Sequence, residues 1–184
     1  MVCSGAAEQS VSQWASAFAE SGLKVPKAVG DLAGPAFFAT MMGLSRVLHA
    51  RYAERFSLPR VMVISGLMCL TGYLMLVLSP TPVLALLGVG LVGFSVGVFW
   101  PGTLSLAAVR LPLGGTVMYG ILALAGDVGC SVGPSMVGFV SDLAGGSLNW
   151  GFALAALFPL VLVGLIVYSL TRARRPRPLQ GGTA

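Results

Sequence analysis

One block dominates the pattern of hydrophobic and polar positions along the chain. Val61 to Val109 holds no Asp, Glu, Lys, Arg or His; Arg60 and Arg110 close it, and Ser79-Pro80-Thr81-Pro82 divides it near the middle. The hydrocarbon core of a bilayer takes about 20 apolar residues per spanning helix. The block therefore predicts a helical hairpin, with spans over about 61–78 and 83–109 and both arginine-bearing ends on one side. Four further segments follow from the same reading, over about 1–20, 29–50, 116–140 and 150–170. The predicted fold class is all-α: a polytopic membrane protein whose six-helix bundle covers 1–171, with a basic, disordered tail over 172–184.

The segments are not alike. The first is polar, with Ser4, Glu8, Gln9, Ser10, Ser12, Gln13 and Ser16. Glu8, Ser12 and Ala15 share a face at helical spacing, with Gln9, Gln13 and Ser16 beside them. That suits a helix lining a cavity rather than one facing lipid. Trp14 and Phe18 suit an interfacial level. The segment starts without an apolar lead-in, so it reads as the second half of a membrane helix whose first half is absent. In the second segment, Gly30 and Gly34 stand four apart, a spacing that permits close helix contact. Asp31 sits near its start, and Arg46 and His49 near its end, where a long side chain snorkels to the headgroups.

The fourth segment carries Gly88, Gly90, Gly93, Gly97 and Gly102, and Pro101 predicts a kink because proline removes a backbone donor. Gly88-Val-Gly90-Leu-Val-Gly93 matches a dinucleotide fingerprint as a string, but no strand precedes it and no acid lies about 20 residues downstream. Close helix packing is the better reading of these glycines. The fifth segment has Asp127 in its middle, with Gly129, Gly133 and Pro134 after it.

Composition agrees with a membrane class. The 184 residues are 56% hydrophobic and 9% charged, against about 25% charged in soluble domains. The net charge of +5 does not point to nucleic acid, because the basic residues fall in short loops and the tail. Arg46, Arg51, Arg55, Arg60, Arg110, Arg172, Arg174, Arg175 and Arg177 lie on one side of the predicted topology, and only Lys24 and Lys27 on the other. The positive-inside rule places the nine in the cytoplasm. The expected setting is the cell's inner (plasma) membrane, multi-pass, with a cytoplasmic C-terminus.

Candidate chemistry is sparse. Cys3, Cys69 and Cys130 have no metal-ligand spacing and His49 is the single histidine, so no metal or cofactor is expected. No nucleophile–base set can be assembled, and the reading is not an enzyme. Glu8 and Asp127 are the two acids at membrane depth. A charge there costs on the order of 2.5–3.5 kcal/mol on insertion scales, so each calls for a reason. Either it lines a cavity, in substrate binding or proton coupling, or a neighbouring helix satisfies it. Gln9, Ser12, Gln13 and Trp14 join Glu8 as cavity candidates, and Tyr119, two turns before Asp127, could share that acid's face.

Several stretches resemble the C-terminal half of a major facilitator superfamily transporter. Gly5-Ala-Ala-Glu8-Gln-Ser-Val-Ser-Gln-Trp14 is similar to the seventh helix of the branch containing fucose and glucose proton symporters. Gly43-Leu-Ser-Arg46 and the basic loop to Arg60 resemble the motif after the eighth helix, but lack its Asp and its paired Gly-Arg. Phe99-Trp100-Pro101 resembles an aromatic–proline step in the tenth helix. Gly133-Pro134 with Gly138 is similar to the glycine–proline motif of antiporters, which belongs to the other half. The resemblance implies helices seven to twelve, the seventh truncated, of a protein with two six-helix halves around a cavity. Such halves rock to give alternating access to a substrate near the midplane. It implies a small-molecule substrate, in this branch a sugar, with protons and the missing N-terminal half as further partners beside the lipid bilayer. The alternative is a non-transporting membrane protein: a truncated product, or a small bundle that assembles with a partner.

Overall fold

The computed structural model describes residues 1–23, 27–79 and 81–173. The predicted tail beyond 173 and the lysine loop around 24–26 lie outside the described residues. Eight helical pieces form six segments: α1 (Val2–Leu23), α2 (Lys27–Tyr52), α3 (Leu58–Leu78), α4 (Pro82–Val96), α5 (Phe99–Arg110), α6 (Gly115–Leu143), α7 (Leu148–Ala155) and α8 (Leu157–Ala173). Among the described residues there is no strand. Four segments are long and apolar enough to cross a membrane: Leu58–Leu78, Val83–Arg110, Gly115–Leu143 and Leu148–Thr171. The fold is an all-α, multi-pass membrane bundle.

Two segments are interrupted, each a few residues before a proline. The fourth breaks at Gly97–Val98. Pro101 has no N–H to donate to the Gly97 carbonyl one turn earlier, and the helix resumes with Gly102 donating to the Val98 carbonyl at 2.8 Å. Gly97, Val98 and Phe99 are buried, so the loosened backbone is kept from lipid. The last segment breaks at Ala156, ahead of the fully buried Pro159. Sequence reading took that segment as a single span over about 150–170. The cause is the same, since Pro159 leaves the Ala155 carbonyl without its helical donor. Pro35 and Pro134 lie inside continuous helices.

α1 runs through the middle of the bundle and touches α2, α4, α5, α6, α7 and α8. Its small residues make this possible: Ala6, Ala7, Val11 and Ala15 are buried. Within a bilayer, apolar burial does not drive helices together, so close van der Waals fit and hydrogen bonds must. α1 approaches α6 at a row of glycines. A Cβ on Gly133 would stand 2.7 Å from the Ala6 carbonyl oxygen, and one on Gly129 would collide with the Val2 carbonyl. α2 meets α1 where Gly34 faces the Ala15 backbone. The fingerprint-like glycines are spacers too: a Cβ on Gly88 would stand 3.0 Å from the Gly72 carbonyl oxygen, one on Gly90 would collide with the Phe37 ring, and one on Gly93 would stand 2.6 Å from the Phe38 carbonyl oxygen.

Side chains complete the ties. Tyr73 on α3 donates to the Ala7 carbonyl at 2.8 Å, and Asn149 on α7 donates to the Val77 carbonyl at 3.1 Å. Tyr73, Phe38, Phe99 and Phe152 are the largest buried side chains, and Phe152 meets Phe18 edge-on at 5.3 Å.

Candidate functional site

α1 and α2 pass each other at Ala15 and Gly34. Glu8 lies seven residues back along α1, and Arg46 lies twelve residues on along α2. At 1.5 Å per residue these are about 10 Å and about 18 Å along the two axes, a gap that an extended arginine side chain covers. Both side chains line one cavity of about 410 Å³, with Trp100, Pro101 and Leu104 from α5 as its other walls. The broken backbone at Gly97–Val98 immediately precedes those α5 residues.

Glu8 is half-buried, and its Oε2 is fully enclosed without a hydrogen-bond partner among the described residues. Arg46 lines the same cavity, but the two side chains form no ion pair among the described residues. Arg46 instead places Nη2 3.7 Å from Met42 Sδ, one turn back on its own helix. Sequence reading took Arg46 as an anchor that snorkels to the headgroups. In the structure Arg46 is exposed, and its guanidinium lies back along its own helix beside the cavity.

Trp100 forms the aromatic wall. Its ring lies over Gly126 of α6, where an added Cβ would stand 2.5 Å from Cη2.

A second cavity, of about 580 Å³, opens further along α1, lined by Gln13, Trp14, Ser16, Ala17 and Glu20 together with Pro134 and Ser135 of α6. Trp14 donates its Nε1–H to the Pro134 carbonyl at 3.0 Å and lies against Gly138. It therefore pins α1 to α6.

The candidate residues thus separate. Glu8 belongs to the first cavity, and Gln13 and Trp14 to the second. Gln9 and Ser12 are half-buried on α1 between them and line neither. Tyr119 and Asp127 are exposed on α6 and line neither. Asp127 instead heads an exposed polar column: Ser131 donates to the Asp127 carbonyl at 3.2 Å, and Ser135 to the Ser131 carbonyl at 2.7 Å. Leu104 and Ser135 escaped sequence reasoning because nothing in their neighbours marks them. Trp100 and Pro101 were visible as an aromatic–proline step, but only as a kink. Among the described residues, no group of three or more His, Cys, Asp or Glu could hold a metal ion.

No curated protein and no solved structure matches the chain. The sequence model of the Major Facilitator Superfamily matches residues 2–184, nearly the full length. An all-α bundle with a broken helix beside a cavity that holds an unpaired acid agrees with that match, and the chain belongs to the Major Facilitator Superfamily.

Proposed function

We propose that this chain is the second six-helix half of a proton-coupled secondary transporter in the inner membrane, that its substrate is a sugar or similar polyol, and that Glu8 is the coupling carboxylate. The superfamily consists of secondary transporters of small solutes, so the coarse reading follows from membership. One observation supports the finer one: Glu8 lines a cavity whose other polar wall is Arg46, and its Oε2 is enclosed without a hydrogen-bond partner among the described residues. A buried carboxyl oxygen left without a partner is costly, and both a proton and a solute hydroxyl would relieve that cost. A carboxylate, a guanidinium and an indole face are also groups that suit a polyhydroxylated ring, through hydrogen bonds and apolar contact.

A largely half-buried polar face on α1 and an exposed one on α6 support the half-transporter reading. Gln9, Gln13, Ser16 and Glu20 recur at helical spacing on α1, and Asp127, Ser131 and Ser135 form the column on α6. Lipid is a poor neighbour for such faces, and the other six-helix half would cover them. The nine-to-two asymmetry of basic residues supports a cytoplasmic side for the Arg51–Arg60 loop and the tail.

The test uses proteoliposomes carrying the chain alone, or joined to an N-terminal six-helix half of the superfamily, under an imposed proton gradient with a panel of radiolabelled sugars. Uptake is expected only in the joined form. A protonophore should collapse it, and Glu8→Gln should remove its pH dependence. Gradient-independent uptake that Glu8→Gln leaves unchanged would strip Glu8 of its coupling role. An absence of uptake for every sugar would remove the substrate class.

A further inference from the structure

The glycines of α6 do two different jobs. At Gly129 and Gly133, an added Cβ would meet backbone atoms of α1. At Gly126, the three nearest atoms all belong to the outer ring of Trp100: Cη2 at 2.5 Å, Cζ2 at 2.8 Å and Cζ3 at 3.2 Å. Backbone cannot give way, whereas the far end of an indole can. The indole is also untethered: among the described residues Trp100 makes no hydrogen bond, whereas Trp14, seated in a similar way on Gly138, is held by the Pro134 carbonyl. The root of Trp100 lies two residues past the break at Gly97–Val98, so its own backbone holds it less rigidly than a helix interior would.

We propose that Gly126, which does not line the Glu8–Arg46–Trp100 cavity, sets that cavity's width by seating the Trp100 indole against α6, and so limits the size of solute admitted. Gly126 is a positioning residue. A methyl group there pushes the indole off its seat and into the neighbouring space of about 410 Å³. The size limit on a solute rests on the transport reading above; the seat itself does not.

The experiment therefore has two arms. In the first, the full chain is labelled with 5-fluorotryptophan and followed by fluorine NMR, and the Trp100 line is assigned by its loss in Trp100→Phe. Gly126→Ala should move that line and leave those of Trp14 and Trp150 in place. An unmoved Trp100 line overturns the proposal, whatever the protein transports. So does a Gly126→Ala protein that fails to assemble, because the geometry requires only a side chain to yield. Gly129→Ala, which meets backbone, is the contrasting variant expected to disturb assembly. In the second arm, with the joined transporter, Gly126→Ala should lower kcat/KM for the larger solutes by about 10-fold or more while sparing the smallest, and adding Trp100→Phe should restore it. An equal loss for every size, without rescue, overturns the size limit alone. Loss of transport in all forms would sink the proposed function while leaving the seat to be decided by the first arm.

Discussion

The Arg46 guanidinium points away from the basic loop that follows it, with Nη2 3.7 Å from Met42 Sδ one turn back on α2. That orientation leaves an exposed positive charge lining the same cavity as Glu8. The two residues should therefore be energetically coupled although they form no ion pair. In a double-mutant cycle with Glu8→Ala and Arg46→Ala, the departure from additivity in detergent thermal unfolding is expected to lie at about 0.2–1 kcal/mol, as for pairs with a solvent-exposed charge. Simple additivity would return Arg46 to the status of a surface anchor.

Tyr73 ties a peripheral helix to the central one. Its hydroxyl is buried and donates to the Ala7 carbonyl at 2.8 Å. Tyr73→Phe should destabilise the bundle by about 0.6 kcal/mol, and at most about 1.7 kcal/mol, the range found for single hydrogen bonds between membrane helices. Denaturation in mixed micelles would measure the difference. An unchanged stability would mean that another donor reaches Ala7.

The contact between α1 and α6 should be intolerant of volume. Gly133→Val places new carbons against the Ala6 carbonyl and Ser10 Oγ, both 2.7 Å from the added Cβ, and should yield aggregated protein on size exclusion. Gly120→Ala on the same helix meets nothing within 4 Å. It should instead stabilise by about 0.5–1 kcal/mol through the lower backbone entropy of the unfolded chain. Similar behaviour of the two variants would contradict the close approach.

Sidedness can be checked at Ser57, which is exposed at the N-cap of α3 within the basic loop. A cysteine placed there should react with a membrane-impermeant maleimide only after the cells are opened. Strong labelling of intact cells would invert the topology.

The chain's pattern of apolar blocks and arginines determined much by itself. The hydrophobic run from Val61 to Val109 required two membrane helices, because a bilayer core admits no unpaired backbone and demands apolar length. The glycines at 88, 90 and 93 read correctly as packing residues, since local context excluded a nucleotide loop. The break near Pro101 was likewise visible, because a missing N–H acts on the residue one turn earlier wherever the helix sits; the same rule applied to Pro159 would have found the second break. Tertiary structure alone decided which polar residues meet. Glu8 and Arg46 are 38 positions apart, and only the antiparallel passage of α1 and α2 at Ala15 and Gly34 brings them to one cavity. Trp14 looked like an interfacial residue because an indole suits both water and lipid; its bond to Pro134 depends on a carbonyl 120 residues away. Local periodicity reports which face of a helix a residue occupies. It carries no information about which neighbour that face will meet, and the seat of Trp100 on Gly126 is a fact of that second kind.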